Sequence, residues 1–204
     1  MTTTKVCIAS SRQGEIGKRC IEFANNNVPY SFEVINQERM DEADIFISLL
    51  YDKILSKEYI GGRGVCINFH PGLLPDYRGA GAYSWALINK EKETGITCHV
   101  IDHNIDSGPI IAVRRTLIHE TDTAETLFDR CMDMIYDLFC ETWRNLIVGS
   151  YLTQPNDGGH IYLRKDLQDA KDLTHIVKAF TFTGKESAYY YNKVGKKIYL
   201  DYEE

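Results

Sequence analysis

Asn68 and His70 stand two positions apart at the end of an apolar run, Gly64-Val65-Cys66-Ile67-Asn68-Phe69-His70, and Pro71 follows. Alternate side chains of a strand face opposite ways, so Asn68 and His70 share one side while Phe69 turns into the core. Pro71 cannot donate a backbone hydrogen bond and ends the ladder there. The pattern predicts an amide and an imidazole side by side at the carboxyl end of a buried strand. A neutral amide donates to an oxyanion without titrating. An imidazole titrates near neutrality and can donate to the same oxyanion or move a proton. Together they suit attack of an amine on a carbonyl carbon. A carboxylate would complete the set, and Asp106 is the candidate, in the turn-rich loop Ile101-Asp102-His103-Asn104-Ile105-Asp106-Ser107-Gly108-Pro109. Beside His70 it would raise the imidazole pKa and orient the ring, or relay the proton lost by the amine. Taken singly, these residues also fit structural roles: Asn68 and His70 as polar groups at a strand end, Asp102 and Asp106 as ordinary turn residues.

The elements that must position these groups alternate between strand and helix patterns. Lys5–Ser10, Tyr30–Ile35, Ala43–Leu50 and Gly64–Phe69 read as strands, with a helix over Glu15–Asn27 and a short one within Asp52–Ile60 closed by Gly61 and Gly62. A helix over Ala82–Lys90 and strands over Thr94–Ile101 and Pro109–Leu117 follow. The clearest helix is Thr123–Val148, where Leu127, Phe128, Cys131, Ile135, Leu138, Phe139 and Leu146 form one apolar stripe. Thr121 or Asp122 can cap its start, and Gly149 stands just past its end. This alternation predicts an α/β fold, Rossmann-like, with a mostly parallel sheet covered by helices on both faces. Such sheets place ligands at the carboxyl ends of their strands. From Tyr151 the chain becomes richer in tyrosine and glycine, with strand-like pieces around Ile161 and Ile198–Tyr202. The expected division is a catalytic core over 1–150 and a small α+β appendage over 151–204.

Bulk properties narrow the function further. A chain of 204 residues can bury a real core. No run approaches the roughly 18 apolar residues of a membrane span, and the N-terminus lacks a basic-then-apolar signal pattern. The six cysteines are widely spaced with no C-x-x-C pair. They read as small buried hydrophobes in a reducing compartment, so a cytoplasmic protein without a metal is expected. The formal charge is −6 with no concentrated Lys/Arg run. Tight binding to a polyanion such as RNA is not expected, and the partners sought are small molecules.

Two segments taken together resemble a known family. Asn68-Phe69-His70-Pro71-Gly72-Leu73-Leu74-Pro75, followed by Arg78-Gly79, closely resembles the signature of folate-dependent formyltransferases. Ile101-Asp102 with Ile105-Asp106-Ser107-Gly108-Pro109-Ile110-Ile111 resembles the second signature of that family, at the expected distance. The likeness runs from about Lys5 to Val148. It implies N10-formyltetrahydrofolate as formyl donor, an amine acceptor, and Asn68, His70 and Asp106 as the catalytic set. It also puts the pterin against backbone around Leu49–Asp52 and His99–Asp106, so that Leu49, Leu50, Tyr51, His99, Ile101 and Asp102 are the implied folate contacts. His103-Asn104 stands where an acidic residue and a glycine are common; asparagine tolerates the left-handed conformation well, so the turn is expected to survive.

The resemblance also separates acceptors. Ser10-Ser11-Arg12-Gln13-Gly14-Glu15-Ile16-Gly17 is not the phosphate loop of glycinamide ribonucleotide enzymes, nor a full G-x-G-x-x-G dinucleotide fingerprint. Methionyl-tRNA enzymes carry a sizeable RNA-binding domain and basic surfaces, and this chain is expected to be too short and too acidic for that role. Ser48-Leu49-Leu50-Tyr51-Asp52-Lys53-Ile54-Leu55 and the tail Lys178–Lys185 with Ala188-Tyr189-Tyr190 resemble the sugar N-formyltransferases. Those enzymes use nucleotide-linked amino sugars, typically dTDP-4-amino-4,6-dideoxyhexoses. Aromatic rings suit stacking on a base or sugar, and cationic side chains suit a diphosphate. Tyr77, Arg78, Phe182, Lys185 and Tyr190 are therefore the candidate acceptor contacts, although the tyrosines would equally suit a C-terminal hairpin or a symmetric homodimer. A formyltransferase for another small amine, and a non-catalytic folate- or nucleotide-binding domain, remain the alternatives.

Overall fold

The computed structural model describes residues 3–10, 15–163, 177, 179, 183, 189–191 and 197–199. Thr4–Ala9 (β1), Phe32–Ile35 (β2), Ile45–Leu49 (β3) and Val65–His70 (β4) form the parallel part of a six-stranded sheet. Glu93–Val100 (β6) runs against β4, and Ile110–Leu117 (β7) runs against β6, giving the order β2-β1-β3-β4-β6-β7. The α/β, Rossmann-like reading therefore holds, with a single reversed strand. Helices Glu15–Asn26 (α1), Lys57–Gly61 (α2), Ala82–Ile88 (α3) and Ala124–Val148 (α4) complete the core. Among the described residues no helix is long and apolar enough to cross a membrane.

The two faces of the sheet are covered unequally, and the strand alternation decides how. Val6, Ile8, Ile45, Ile47, Leu49, Ile67, Phe69 and Cys98 face one way and meet the stripes of α1 and α4, among them Cys131, Ile135, Phe139 and Trp143. The opposite residues of the same strands, Cys7, Ala9, Phe46 and Cys66, meet a smaller set, Ile35, Met40, Ala43, Tyr51, Leu55, Tyr59 and Ile101. Asn68 and His70 belong to this thinly covered face by alternation with Cys66. All six cysteines are unpaired, and five are fully buried.

Local signals explain the element ends. Thr123, rather than Thr121 or Asp122, caps α4: its hydroxyl accepts from the Thr126 N–H while the Thr126 hydroxyl accepts from the Thr123 N–H. Asp122 braces the same turn by accepting from Arg130 and from the Thr126 hydroxyl. Gly149 ends the helix with φ of 68°, as a left-handed stop requires. The helix expected within Asp52–Ile60 shrinks to α2, because the Ser56 hydroxyl caps it by accepting from the Tyr59 N–H. Residues 51–56 are left as an irregular wall beside the thin face.

The signature loop also holds a short strand that alternation alone does not predict. Tyr77–Gly79 (β5) pairs in parallel with His160–Tyr162 (β8), the piece anticipated around Ile161. Gly79 is required there: its φ is 88°, and a Cβ would lie 2.3 Å from the Tyr162 carbonyl oxygen. Farther on, Tyr189–Tyr191 (β9) and Lys197–Tyr199 (β10) form an antiparallel pair. Most of the expected appendage lies outside the described residues.

Phe139 is fully buried against Phe23, Phe69 and Trp143, so it joins α4 to α1 and to β4 at once. Phe139→Ala is expected to destabilise the chain by about 3–5 kcal/mol, read from urea unfolding. A loss below about 1 kcal/mol would contradict this packing.

Candidate active site

Two neighbouring strands build the centre. In the antiparallel pairing of β4 and β6, Asn68 stands opposite His99 and His70 opposite Thr97, so all four side chains share the thin face. The Asn68 Nδ2 lies 3.2 Å from His99 Nε2. The His99 Nδ1–H donates to the Val100 carbonyl at 2.8 Å. A carbonyl only accepts, so the proton of neutral His99 sits on Nδ1, and Nε2 accepts from the Asn68 amide. This fixes the amide's direction and leaves its second N–H for a ligand.

Asp106 arrives from the loop between β6 and β7 with φ of 46°, a left-handed backbone that a non-glycine residue adopts at a cost. Its carboxylate lies 3.4 Å from His70 Nδ1 and 3.5 Å from His99 Nε2, and it accepts the Gly79 N–H at 2.9 Å. Gly108 lets this loop close on β6, since a Cβ there would lie 1.9 Å from the Val100 carbonyl oxygen. Asp102, Leu49 and Leu50 have other duties. The Asp102 carboxylate accepts from the Ser107 hydroxyl and the Asn104 N–H, which holds the turn. The turn therefore survives at His103-Asn104 as expected, but Asp106 rather than Asn104 takes the left-handed conformation.

Electrostatics follow from this crowding. Burial works against the charge of Asp106, but the His70 and His99 rings and the Gly79 N–H outweigh it and hold the carboxyl well below its usual range. Burial pushes the His70 imidazolium down, against the pull of Asp106. Near neutral pH the centre is thus a carboxylate beside a neutral imidazole. The His70 Nε2–H donates to the Tyr77 carbonyl at 2.6 Å, so the lone pair of Nδ1 faces Asp106. One proton can enter between Oδ2 and Nδ1 and be shared by both.

Asn68, His99 and Asp106 line a cavity of about 560 Å³ on the thin face. Phe46, Tyr51, Ile54, Leu55, Ile60, Ile101 and Ile161 form its apolar walls, with Ser48, Lys53, Asp102 and His103 among the polar ones. The catalytic candidates are thereby brought together, although His70 is almost fully buried behind Asp106 with both ring nitrogens engaged by the protein. Of the implied folate contacts, Tyr51, His99, Ile101 and Asp102 border this cavity. The Leu49 side chain is fully buried in the thick-face core and Leu50 packs on it, with φ of 59° turning the chain out of the sheet.

The acceptor candidates are dispersed. The Tyr77 ring stacks on Tyr162 at 5.2 Å, and its hydroxyl donates to Glu91, so the side chain is spent on packing away from the cavity. Its backbone carbonyl is what serves the centre. The Arg78 guanidinium donates to the carbonyl and side-chain oxygens of Asn156. Phe182 and Lys185 lie outside the described residues, and Tyr190 is described only as part of β9. Sequence reasoning named His99 as a backbone contact and missed its ring as the partner of Asn68; the register of two adjacent strands, invisible in one strand's pattern, makes that contact.

With the geometry in place, comparison with known proteins gives the class. A family model described as formyl transferase matches residues 3–142, and the chain belongs to that family. Methionyl-tRNA formyltransferase of Thermodesulfovibrio yellowstonii is 40% identical over 124 residues, which are 59% of this chain and 40% of that one. The chain thus spans about two-fifths of the length of such curated relatives. Among solved structures, a sugar N-formyltransferase from Shewanella sp FDAARGOS_354 aligns with a TM-score of 0.78 over 97% of this chain and 96% of that chain, at 22% identity. A formyltransferase from Anoxybacillus kamchatkensis, solved with UDP-4,6-dideoxy-4-formamido-L-AltNAc and tetrahydrofolate, aligns at 26% identity with a TM-score of 0.68 over 81% of this chain and 88% of that one.

The lowered pKa of His70 has a stability consequence. The unfolded chain protonates this ring from about 6.5 downward, while the folded chain resists. The contribution of neutral His70 is therefore full above that pH and is lost as pH falls below it. The lowered pKa of Asp106 acts with the same sign from about 3.8 downward. Unfolding free energy measured in urea is expected to fall between about pH 7.5 and about pH 5, and His70→Gln to flatten that slope. Equal slopes in the two proteins would contradict the assignment.

Proposed function

We propose that this chain transfers a formyl group from N10-formyltetrahydrofolate to the amine of a nucleotide-linked amino sugar. The observation that carries the reading is the cavity: apolar walls suited to a flat heteroaromatic donor, together with an amide N–H and a proton-accepting carboxylate. The backbone next to Tyr51 and along 99–106 is the expected place for the pterin. The donor supplies a formyl carbon attached to a nitrogen that can leave. Every other part of the chemistry falls to this chain. As the formyl oxygen gains charge, the free Asn68 N–H donates to it, and His99 keeps that amide aimed. The incoming amine must shed a proton, which Asp106 accepts and shares with His70 Nδ1. The pair begins with one negative charge, is neutral while it holds the amine's proton, and is reset when that proton passes to the departing nitrogen of the donor.

The choice of acceptor rests on the extent of the fold likeness, which covers nearly all of both chains for the Shewanella sugar N-formyltransferase. A dTDP-linked 4-amino-4,6-dideoxyhexose is the acceptor to try first. A second reading, methionyl-tRNA, is favoured by the 40% identity to a methionyl-tRNA formyltransferase. The net charge of −6 weighs against a polyanionic substrate.

The test is donor consumption measured with dTDP- and UDP-linked amino sugars, glycinamide ribonucleotide and methionyl-tRNA in parallel. Turnover on one amino sugar alone is the expected result, and turnover only on methionyl-tRNA would replace the proposed acceptor. Asn68→Ala is expected to lower turnover about 10²–10³-fold on the accepted amine, as for loss of one oxyanion donor. An unchanged rate would remove Asn68 from the mechanism.

A further inference from the structure

The left-handed backbone of Asp106 needs support, and one buried side chain from beyond the family match supplies it. Asn156 is 6% exposed. Its Nδ2 donates to the Asp106 carbonyl at 2.9 Å and to the Gly108 carbonyl at 2.8 Å, so both amide protons are used on the loop that carries the carboxylate. Its own carbonyl and side-chain oxygens accept from Arg78. The next residue along β5, Gly79, donates its N–H to the Asp106 carboxylate.

The backbone around Asn156 is fastened at both ends. Gln154 exchanges two backbone hydrogen bonds with Ile110, at 2.9 and 2.8 Å, where β7 begins. From His160 the chain pairs with β5, the strand whose Tyr77 carbonyl holds His70. Residues 154–162 therefore clamp the Asp106 loop on one side and the strand behind His70 on the other. The family model ends at residue 142, so this clamp falls outside the matched region.

We propose that Asn156 is a positioning residue: it holds the Asp106 loop in its left-handed turn, and Arg78 holds Asn156, so that the carboxylate stays between His70 and His99. This rests on the formyl-transfer reading for its effect on rate, but not for its effect on the geometry of the centre. Arg78 then serves the centre through Asn156, and its role does not require contact with a diphosphate.

The discriminating variant is Asn156→Asp. It preserves size and keeps an acceptor for Arg78, but it removes the two donors to the Asp106 loop and puts lone pairs there instead. Asn156→Ala removes everything. Two readouts are needed on folded protein, with thermal unfolding as the check on folding. The first is NMR titration of the histidine rings, with His119, outside the Asp106 loop, as internal control. In both variants the His70 curve is expected to move toward that of Asp106→Asn, while the control stays in place. The second is kinetics on the accepted amine: kcat is expected to fall about 10–100-fold with the donor KM within about twofold. Wild-type ring titrations in Asn156→Asp would overturn the proposal whether or not any amine is formylated. Absence of turnover in the wild type would instead count against the formyl-transfer reading and leave the titration test standing.

Discussion

A carboxylate taken out of water must be kept ionised by its neighbours, or it takes up a proton and stops acting as a base. Around Asp106 that duty falls to one donated backbone N–H and to two imidazole rings that can take up the proton in its place. Each comes from a different element: His70 from the end of β4, His99 from β6, and the Gly79 N–H from the short strand after the signature loop. Moving any one of these elements by an ångström would break the arrangement, so the surrounding structure answers to this constraint. Both histidines are themselves tied by their second nitrogen to a carbonyl, which fixes which face each ring offers.

The unequal coverage of the sheet follows from the same demand. One face carries the two long helices and most of the apolar core, and it supplies stability. The other face is roofed by irregular connections and one short helix, and it leaves room for a cavity at the carboxyl ends of β3 and β4. Strand alternation sorts residues between the two duties: Ile67 and Phe69 build the core, while Asn68 and His70 between and beyond them build the centre. A strand buried equally on both sides could not do this.

Much of this was legible in the residues. The apolar stripe of α4 and the alternation in β4 name their own faces, and turn-forming residues around Asp106 mark a loop. The pairing of Asn68 with His99 was not legible, because register across an antiparallel pair depends on how two distant segments meet. Nor was β5, whose strand character comes from its partner β8, 83 residues on in chain order, rather than from its own composition. Thr123 displaced Asp122 as the helix cap because two threonines three apart satisfy each other's N–H groups, leaving Asp122 to pair with Arg130. Tyr77 and Arg78 look like ligand contacts by type, yet their side chains are taken up by Tyr162, Glu91 and Asn156. Side-chain chemistry suggests what a residue could do, and packing decides what remains free to do it.

The central claim is that Asp106, sharing a proton with His70, takes the proton from the attacking amine. A single-turnover measurement with donor and amine both saturating, on wild type and Asp106→Asn, reads this step directly, with donor affinity measured alongside. The account predicts that Asp106→Asn binds the folate nearly as well as wild type but transfers the formyl group at least about 10²-fold more slowly. Transfer at the wild-type rate by Asp106→Asn would contradict it and move the base elsewhere.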